Sequence, residues 1–378
     1  MVTVESFFFA IAMTALAKSG PALDAQRAAQ IESLFRDYSQ VNAPGVAVMV
    51  IREGKPIFAK GFGLADLQHK TPCTTNTNFR LASVTKQFTA MAVMMLVEKK
   101  KLLLDDRLTN FFPEFPDYGK QISVRQLLTH TSGLLDYEDL IPQGTTIPVL
   151  DQHVLRILVA ADVRRRTEAR TDGDRLLTSA ATYFPPGMQY RYSNSGYALL
   201  ALIVEVRSGQ RFARFLKENI FEPLKMTNTL AYEEGYGAIS NRAFGHTHRT
   251  NGWQRTDQSL TSSVLGDGGV YSSLADLFKW DQALYKSKLV SEPMLRVAFS
   301  PATPTDKPGR SYGFGWYMGE YRGLKEIWHG GDTIGFRTRI ARFPEKKFTV
   351  IILANRADAK LEELPHQIAD LVLFGSKE

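Results

Sequence analysis

The sequence predicts an α/β fold of the α+β type, with an antiparallel sheet flanked by terminal helices and a mostly helical subdomain. Three observations indicate this architecture. β-rich segments lie near the start of the chain, at 46–62, and again at 312–355. The residues between them show helical periodicity and long connections. Strands at both ends with helices between them indicate one sheet assembled from both ends of the chain.

The first elements follow from the spacing of apolar residues. Between Asp24 and Tyr38, apolar side chains recur at helical intervals and predict an amphipathic helix. Two β-rich runs on either side of residues 52–55 predict a hairpin. A long helix is then expected from about Ser83 to Lys99, and its interior, "AMAVMMLV", indicates burial on most sides.

The middle of the chain, to about residue 265, is predicted to be mostly helical. Ser123 is placed to cap a helix over "VRQLLTH", and Gly133 is placed to end that segment. The sequence "PPG" at 185–187 interrupts helical structure. A second buried helix, "YALLALIVEVRSG", is expected to end at Gly209.

Strands return near the end of the sequence. A helix is first predicted over 273–286, where Ser273 and Asp276 have the spacing of a capping box. The runs "YGFGWYM", "KEIWHG", "GFRTRIARF" and "FTVIILAN" then have the composition of strands separated by short turns. A final helix is predicted over 362–374.

The expected organisation is a leader followed by one folded domain. Residues 1–20 are predicted to be a signal peptide or an apolar N-terminal segment, and residues 21–378 a single domain. The α/β part of that domain is expected to span about 21–82 and 266–378, and its helical part about 83–265.

The leader prediction depends on an apolar run at 7–16, which ends in the small residues expected before a cleavage site. A basic n-region is missing, and Glu5 stands where lysine or arginine is usual. The run is too short to span a bilayer as a stable helix. We therefore expect a periplasmic or secreted protein without a stable membrane span. The alternative is a cytoplasmic protein with an apolar N-terminal helix.

The composition and the histidine and cysteine content predict a globular protein without a nucleic-acid partner or a metal site. The net charge is +7, but acidic residues interrupt the densest basic cluster, at 164–175, and nucleic-acid binding favours a continuous basic face. One cysteine, Cys73, excludes an intrachain disulfide. The seven histidines form no HExxH pair, and His246 with His248 supplies only two ligands.

The segment "RLASVTKQ" places Ser83 and Lys86 three positions apart at the start of the first buried helix. Residues i and i+3 of a helix share a face, with Cβ atoms about 5–6 Å apart. A serine hydroxyl needs a neighbouring base to become a nucleophile, and a partly buried lysine can supply one. The alternative is a capped helix with a surface lysine. No other serine in the sequence has a lysine three residues later.

Two further segments contain residues suited to the same chemistry. In "YRYSNSG", Tyr192 offers a proton carrier and Asn194 a hydrogen-bond donor for a carbonyl; the alternative is a buried tyrosine and a helix cap. In "IWHGGDTIGF", residues 329–331 (His-Gly-Gly) end one predicted strand, and the glycines let a substrate approach the backbone. Similar patterns at 307–309 and 18–20 are rejected, because the first lies in a proline-rich loop and the second precedes the serine.

Together, Ser-x-x-Lys, Tyr-x-Asn and His-x-Gly, in this order, resemble the three motifs of the penicillin-recognising serine hydrolases. This superfamily includes the serine β-lactamases, DD-peptidases, D-aminopeptidases and related esterases. The longer segments "RQLLTHTSGL", "FPPGMQYRYSNSGYALLALIVE" and "GGVYSSLADLFKW" also look like the class C β-lactamase-like branch. The similar stretches cover most of residues 44–356.

The resemblance implies a role for each motif residue. Ser83 would be the acylated nucleophile, and Lys86 its proton partner. Tyr192 would act as general base and acid. Asn194 would hold the substrate amide. His329 would replace the usual lysine and assist Tyr192 electrostatically or by a hydrogen bond.

The third motif would also form the wall that faces the substrate. The backbone N–H groups of Ser83 and Asp332 would form the oxyanion hole, and Gly330 and Gly331 would border the substrate. The resemblance therefore implies an acyl-enzyme serine hydrolase without cofactor, acting on an amide or ester in a small molecule or short peptide.

Several activities remain open within that class. A DD-peptidase or D-aminopeptidase is the leading expectation, and a carboxylesterase or weak β-lactamase is the alternative, since His329 stands where β-lactamases more often have lysine. No glutamate or aspartate is marked as a deacylating base. A non-catalytic penicillin-binding sensor would require loss of a motif residue, yet Ser83, Lys86 and Tyr192 are present. An α/β-hydrolase is disfavoured because the chain has no Gly-x-Ser-x-Gly segment.

Overall fold

The computed structural model describes residues 23–171, 182–232 and 238–375, with the backbone alone over 164–171. The predicted signal peptide lies outside the described residues, and so do the side chains of the basic cluster at 164–175. The leader and the cellular location therefore stay predictions.

An eight-stranded antiparallel sheet is the central element of the described part of the chain, with strands in the order β10-β11-β12-β13-β14-β15-β1-β2. In chain order, the strands are β1 (Val46–Arg52), β2 (Lys55–Phe62), β3 (Leu64–Asp66), β4 (Thr71–Pro72), β5 (Phe79–Arg80), β6 (Leu230–Ala231), β7 (His246–Arg249), β8 (Gly252–Arg255), β9 (Val270–Ser272), β10 (Thr303–Pro304), β11 (Ser311–Tyr312), β12 (Tyr317–Tyr321), β13 (Leu324–Thr333), β14 (Phe336–Phe343) and β15 (Phe348–Ala354). The sheet joins β1 to β15, so the predicted assembly from both ends of the chain is confirmed.

The helices lie on both sides of this sheet and in the segment between its two halves. They are α1 (Ala25–Leu34), α2 (Lys86–Glu98), α3 (Val124–Leu128), α4 (Asp151–Thr171), α5 (Asn194–Ser208), α6 (Phe212–Leu216), α7 (Leu265–Gly268), α8 (Leu274–Ala283), α9 (Glu292–Ala298) and α10 (Leu364–Ala369). As predicted, Ser123 caps α3 and Gly209 ends α5. No helix among the described residues is long and apolar enough to cross a membrane.

The two faces of the sheet pack against different helices. Along β1, Ala47 and Met49 belong to the apolar cluster that includes α2 and α5, whereas Val48 and Val50 belong to the cluster that includes α1 and α10. Side chains alternate between the two faces of a strand. Because helices pack on both faces of the sheet, successive side chains of β1 and β15 are almost all buried, which explains why these strands are continuous apolar runs.

The first buried helix starts later than the sequence predicted. A 3₁₀ turn, Ala82–Thr85, precedes α2, and Lys86 is the first α-helical residue. Ser83 therefore lies on the turn and not in the helix. The residue before it, Ala82, has a φ of 48°, a conformation that a residue with a Cβ adopts rarely.

Three other local predictions need correction. The run 312–318 is not one strand: it folds back between β11 and β12, where Gly315 has a φ of 78°. A Cβ at that glycine would lie 2.8 Å from the Lys86 carbonyl oxygen, so only glycine lets the turn pack there. The segment 329–331 lies within β13 and does not end it. The final helix changes to a π-helix over Asp370–Phe374.

The predicted capping box at α8 is present only in half. The Ser273 hydroxyl accepts a hydrogen bond from the Asp276 N–H. The Asp276 carboxylate instead accepts from the Asn228 N–H and the Thr229 hydroxyl. A tertiary contact has replaced the local one, because those two groups lie buried beside the helix.

Candidate active site

Ser83 lies where the turn before α2 meets strand β13. The Leu81 carbonyl accepts a hydrogen bond from the Thr338 hydroxyl of β14, at 2.7 Å, and this bond joins the turn to the sheet. Gly331 of β13 is packed against the same place. A Cβ on that glycine would lie 2.2 Å from the Leu81 oxygen and 3.1 Å from the Ser83 nitrogen. The strand therefore approaches the serine as closely as its backbone allows.

Lys86 is fully buried and lies beside the serine hydroxyl. Its Nζ is 3.2 Å from the Ser83 Oγ, 2.8 Å from the Asn194 Oδ1 and 2.9 Å from the Asp267 carbonyl oxygen. The last two oxygens can only accept hydrogen bonds. A neutral amine would donate its two hydrogens to them and direct its lone pair at the serine. Burial lowers the pKa of Lys86, against the opposing charge of Asp267.

The support for Lys86 comes from the loop that contains α7. The buried carboxylate of Asp151, at the start of α4, accepts the N–H groups of Leu265 and Gly266. The Asp267 carboxylate accepts a hydrogen bond from the buried Tyr137 hydroxyl at 2.9 Å. These bonds fix the Asp267 carbonyl that faces the amine.

Tyr192 faces the same amine but keeps its hydroxyl unpaired. The Lys86 Nζ lies 4.9 Å from the centre of the tyrosine ring. Among the described residues, no group forms a well-aligned hydrogen bond with the buried Tyr192 hydroxyl. Burial raises the pKa of Tyr192 strongly, although the nearby Ser83 hydroxyl acts in the opposite direction. In the resting protein this side chain is therefore a phenol.

His329 is buried on the face of β13 that also presents Gly331. Its Nε2 lies 3.0 Å from the Tyr312 hydroxyl and its Nδ1 2.6 Å from the Gly330 carbonyl oxygen. A carbonyl only accepts, so the ring hydrogen belongs on Nδ1, and Nε2 accepts from Tyr312. Burial, assisted by the charge of Lys86, lowers the pKa of His329 to about 3. The ring is neutral, and both of its nitrogens are paired with groups other than Tyr192.

Gly330 and Asp332 point to the opposite face of the strand. A Cβ on Gly330 would meet the Arg339 guanidinium at 3.6 Å, an ordinary contact. The largely exposed Asp332 carboxylate lies 3.4 Å from Arg337. Only the backbone of these two residues is placed to contribute to a site on the Ser83 side.

A short acidic loop lies near Lys86 on the helical side. Asp136 and Glu138 are on either side of Tyr137, whose N–H donates to the Ser195 hydroxyl at 2.8 Å. The Asp136 carboxylate accepts the Glu138 N–H at 3.1 Å, which holds the loop in a tight turn. Burial raises the pKa of both carboxylates, and the charge of Lys86 lowers it.

The structure thus brings together four of the predicted residues, Ser83, Lys86, Tyr192 and Asn194, next to the backbone of Gly331. His329 is close but bonded elsewhere. The sequence reasoning missed Asp267, Tyr137, Tyr312 and His130, which support these residues. The only sequence signal for them was their position in the segments "GDGGV", "LLDYED", "SYGFGW" and "LTHTSGL", which have no period that indicates a side-chain role.

A family model described as Beta-lactamase matches residues 31–373 of the chain. Among curated relatives, penicillin-binding protein 4* of Bacillus subtilis (strain 168) is 31% identical over 360 residues, covering 91% of this chain and 76% of that protein. A D-aminopeptidase of Brucella anthropi is 29% identical over 338 residues, covering 86% of this chain. The chain spans only 59% of that D-aminopeptidase.

Solved structures show the same fold. The octameric penicillin-binding protein homologue from Pyrococcus abyssi matches with a TM-score of 0.76 and 25% identity, over 92% of this chain and 77% of that chain. The D-amino acid amidase from Ochrobactrum anthropi SV3, in complex with L-phenylalanine amide, matches with a TM-score of 0.74 and 23% identity. The second match covers 93% of this chain and 98% of that chain, and it shows the fold alone.

Proposed function

The chain belongs to the beta-lactamase family and is a serine hydrolase, and on that premise we propose that Ser83 is its nucleophile and forms an acyl-enzyme from an amide or ester. The observation that best supports this is the contact between the Ser83 hydroxyl and the buried Lys86 amine, at 3.2 Å. The two acceptor-only oxygens around that amine favour a lone pair directed at the serine.

Lys86 takes the serine proton in the proposed first step. The Ser83 oxygen attacks the substrate carbonyl carbon, the proton moves to Lys86 Nζ, and the carbonyl oxygen becomes an oxyanion. The backbone N–H groups of Ser83 and Asp332 receive that oxyanion in this proposal. The contact of Gly331 with the serine turn supports it, and losing one such donor typically costs about 2.7–4 kcal/mol of barrier lowering.

Tyr192 supplies the proton for the leaving group in the second step. The carbon–nitrogen or carbon–oxygen bond breaks, the departing amine or alkoxide takes the phenol proton, and Lys86 returns a proton to the tyrosine. Burial raises the pKa of Tyr192, so the resting side chain carries the proton that a leaving group needs and is not a phenolate base. We therefore assign the base role, which the sequence had given to Tyr192, to Lys86. In deacylation a water oxygen attacks the acyl carbon and gives its proton to Lys86, the bond from that carbon to the Ser83 oxygen breaks, and the serine oxygen takes the proton of Tyr192, which Lys86 then replaces.

His329 acts in this proposal as a neutral group that completes the wall beside Tyr192. A pKa of about 3 supports the neutral form near neutral pH. The usual lysine of the third motif would bring a positive charge, which His329 does not. We therefore expect weak turnover of β-lactams, whose carboxylate would benefit from that charge.

The substrate we propose is the amide of a D-amino acid with a free amino group, as in a short peptide. The name of the D-aminopeptidase relative supports this class. Within the chain, Asp136 and Glu138 place negative charge near Lys86, where an α-ammonium group would be attracted. A carboxylesterase is the second candidate, because the Ser83–Lys86 contact serves an ester equally well.

One substrate panel on the purified protein tests this proposal. We would compare kcat/KM for a nitrophenyl ester, a chromogenic cephalosporin, a D-alanine anilide and a D-Ala-D-Ala peptide whose amino terminus is acylated. The D-alanine anilide should be preferred among the amides. A preference for the cephalosporin or for the D-Ala-D-Ala peptide would overturn the substrate assignment, and turnover of the ester alone would establish the carboxylesterase.

The nucleophile is tested with Ser83→Ala. This variant should lose all hydrolysis and all covalent labelling by a fluorescent fluorophosphonate. Ser291→Ala is the matched control, because Ser291 is exposed and its side chain makes no capping bond at α9. Residual labelling of Ser83→Ala at another serine would contradict the assignment.

A further inference from the structure

His130 holds the Tyr192 segment by three contacts. Its carbonyl oxygen accepts the Arg191 N–H at 2.9 Å. Its Nδ1 accepts the Ser193 N–H at 3.1 Å. Its ring lies against the Tyr192 ring, with centres 4.3 Å apart and an interplanar angle of 35°. One residue therefore fixes the backbone on both sides of the tyrosine and one face of its ring.

These contacts come from an unfavourable conformation. His130 has a φ of 59°, although it has a Cβ, and it is buried. Its Nδ1 accepts from a backbone N–H, so its ring hydrogen belongs on Nε2. That Nε2 is buried and finds no hydrogen-bond partner among the described residues. Strained backbone conformations cluster at functional sites, and a buried polar group without a partner is rare in folded proteins.

The same ring also connects Tyr192 with the group around His329. The Tyr312 ring, whose hydroxyl donates to His329, lies 4.5 Å from the His130 ring. Within the part of the chain that the structure describes, no well-aligned hydrogen bond holds the Tyr192 hydroxyl in place. Packing and backbone contacts must therefore set the direction of the phenol, and His130 supplies both.

We propose that His130 is a positioning residue that aims the Tyr192 hydroxyl at the leaving group of the substrate. This rests on the proposed role of Tyr192 as proton donor. An amine or alkyl alcohol needs a proton to depart, whereas nitrophenolate leaves without one. Misplacement of Tyr192 should thus slow an ethyl ester more than a nitrophenyl ester of the same acyl group.

Three substitutions separate the contacts of His130. His130→Phe keeps a ring against Tyr192 and removes the acceptor for Ser193. His130→Asn keeps an acceptor near the position of Nδ1, tolerates a positive φ and removes the ring. His130→Ala removes both. The matched control is His153, whose Nδ1 also accepts a backbone N–H, that of Leu150 at 3.2 Å, but at the start of α4. His153→Phe makes the same chemical change away from Tyr192.

The measurement is kcat/KM for ethyl butyrate divided by kcat/KM for nitrophenyl butyrate, for each variant that is folded by its melting temperature, because kcat/KM reports acylation and not the deacylation step that the two esters share. We expect this ratio to fall at least tenfold in His130→Phe and His130→Ala, to recover largely in His130→Asn, and to stay unchanged in His153→Phe. Equal losses on both esters would show a merely structural role and overturn the inference.

Tyr192→Phe separates this inference from the function on which it rests. If Tyr192→Phe lowers the ester ratio and His130→Phe does not, the positioning role of His130 is wrong and the proton-donor role of Tyr192 stands. If Tyr192→Phe leaves the ratio unchanged, the donor role is wrong, and the positioning role is overturned with it. If the wild-type protein hydrolyses the nitrophenyl ester but not the ethyl ester, it does not donate a proton to an alkoxide leaving group. That result also contradicts the inference, because His130 would then have no proton transfer to position. If His130→Phe fails to fold, His130→Ala replaces it, and its ratio must fall at least tenfold while that of His130→Asn stays within threefold of the wild type.

Discussion

The Lys86 amine and the Ser83 hydroxyl lie 3.2 Å apart although the two residues belong to different kinds of helix. Ser83 lies on a 3₁₀ turn, and Lys86 is the first residue of α2. The tighter turn keeps i and i+3 side chains nearly eclipsed, which brings the two groups closer than a regular α-helix would. Burial of the amine then lowers its pKa. The packing that brings Lys86 next to Ser83 therefore also favours the neutral amine that a base must be.

Replacing Lys86 by methionine should remove the base while retaining the buried volume. We expect kcat/KM for a nitrophenyl ester to fall by about 10²–10⁴-fold, the usual contribution of general base catalysis. Lys99→Met, an exposed lysine just after α2, is the control and should leave activity unchanged. An active Lys86→Met variant would assign the base role to another group.

The pH dependence of kcat/KM should show the same lysine. The base must be neutral, so activity should rise with pH as Lys86 loses its proton. Because burial lowers the pKa of Lys86, this rise should occur below the pH at which an exposed lysine titrates. His329, with a pKa of about 3, should add no step near pH 6–7. Persistence of the rise in Lys86→Met would show that it belongs to a different residue.

The two glycines of the third motif should respond differently to alanine. In Gly331→Ala the new Cβ would lie 2.2 Å from the Leu81 carbonyl and 2.4 Å from the Thr338 hydroxyl, so β13 must move away from Ser83. A shift of about 1 Å at a reacting centre can cost about 10²-fold in rate. Gly330→Ala, whose nearest neighbour would be the Arg339 guanidinium at 3.6 Å, is the internal control.

We expect kcat/KM to fall at least about 10²-fold in Gly331→Ala and to stay within about twofold in Gly330→Ala. Melting temperatures of both variants show whether the comparison is made on folded protein. Equal activity of the two variants would mean that the approach of β13 to Ser83 does not matter for turnover.

The sequence was sufficient for the fold because local patterns encode it. Strands β1 and β15 are continuous apolar runs, and α5 begins and ends at residues that favour its termini, Ser193 and Gly209. Periodicity and capping act over a few residues, so they can be seen without the tertiary structure. The order of the three motifs likewise indicated which residues would meet.

The supporting contacts could not be predicted in the same way. Lys86 bonds to the carbonyl of Asp267, a residue 181 positions away, and His130 bonds to the backbone of Ser193, 63 positions away. The residue type does not reveal where a backbone carbonyl will point. The positive φ of Ala82 could not be predicted either, because alanine rarely adopts that conformation. Such contacts depend on packing between distant segments.

Stability should depend on a buried ion pair between helix α8 and strand β14 of the central sheet. The Asp281 carboxylate of α8 accepts hydrogen bonds from the Arg342 Nε at 2.8 Å and the Thr349 hydroxyl at 2.9 Å, and both charged side chains are almost fully buried. In Asp281→Ala the guanidinium is left buried without its partner. We expect the free energy of unfolding to fall by about 3–5 kcal/mol.

An exposed ion pair provides the control for that measurement. Arg296 and Glu292 of α9 form an i,i+4 pair in which both side chains are mostly exposed. Exposed pairs of this kind contribute about 0.2–1 kcal/mol, so Glu292→Ala should change stability far less in the same urea titration. A loss in Asp281→Ala no larger than in Glu292→Ala would show that Arg342 is hydrated or paired elsewhere.

Substrate recognition should depend on the charges of Asp136 and Glu138. An α-ammonium group bound near these carboxylates gains Coulomb energy, whereas an N-acetylated substrate does not. In Asp136→Asn combined with Glu138→Gln, we expect KM for D-alanine anilide to rise about tenfold, which corresponds to about 1.4 kcal/mol, while kcat changes little. Asp139→Asn, an exposed neighbour in the same loop, is the control.

Two further measurements test whether charge is the cause. Kinetics with N-acetyl-D-alanine anilide should be the same in all variants, and the effect on the free amine should shrink at high salt, because such charges are screened. If the double variant binds both anilides as the wild type does, the amino group of the substrate is recognised elsewhere or not at all.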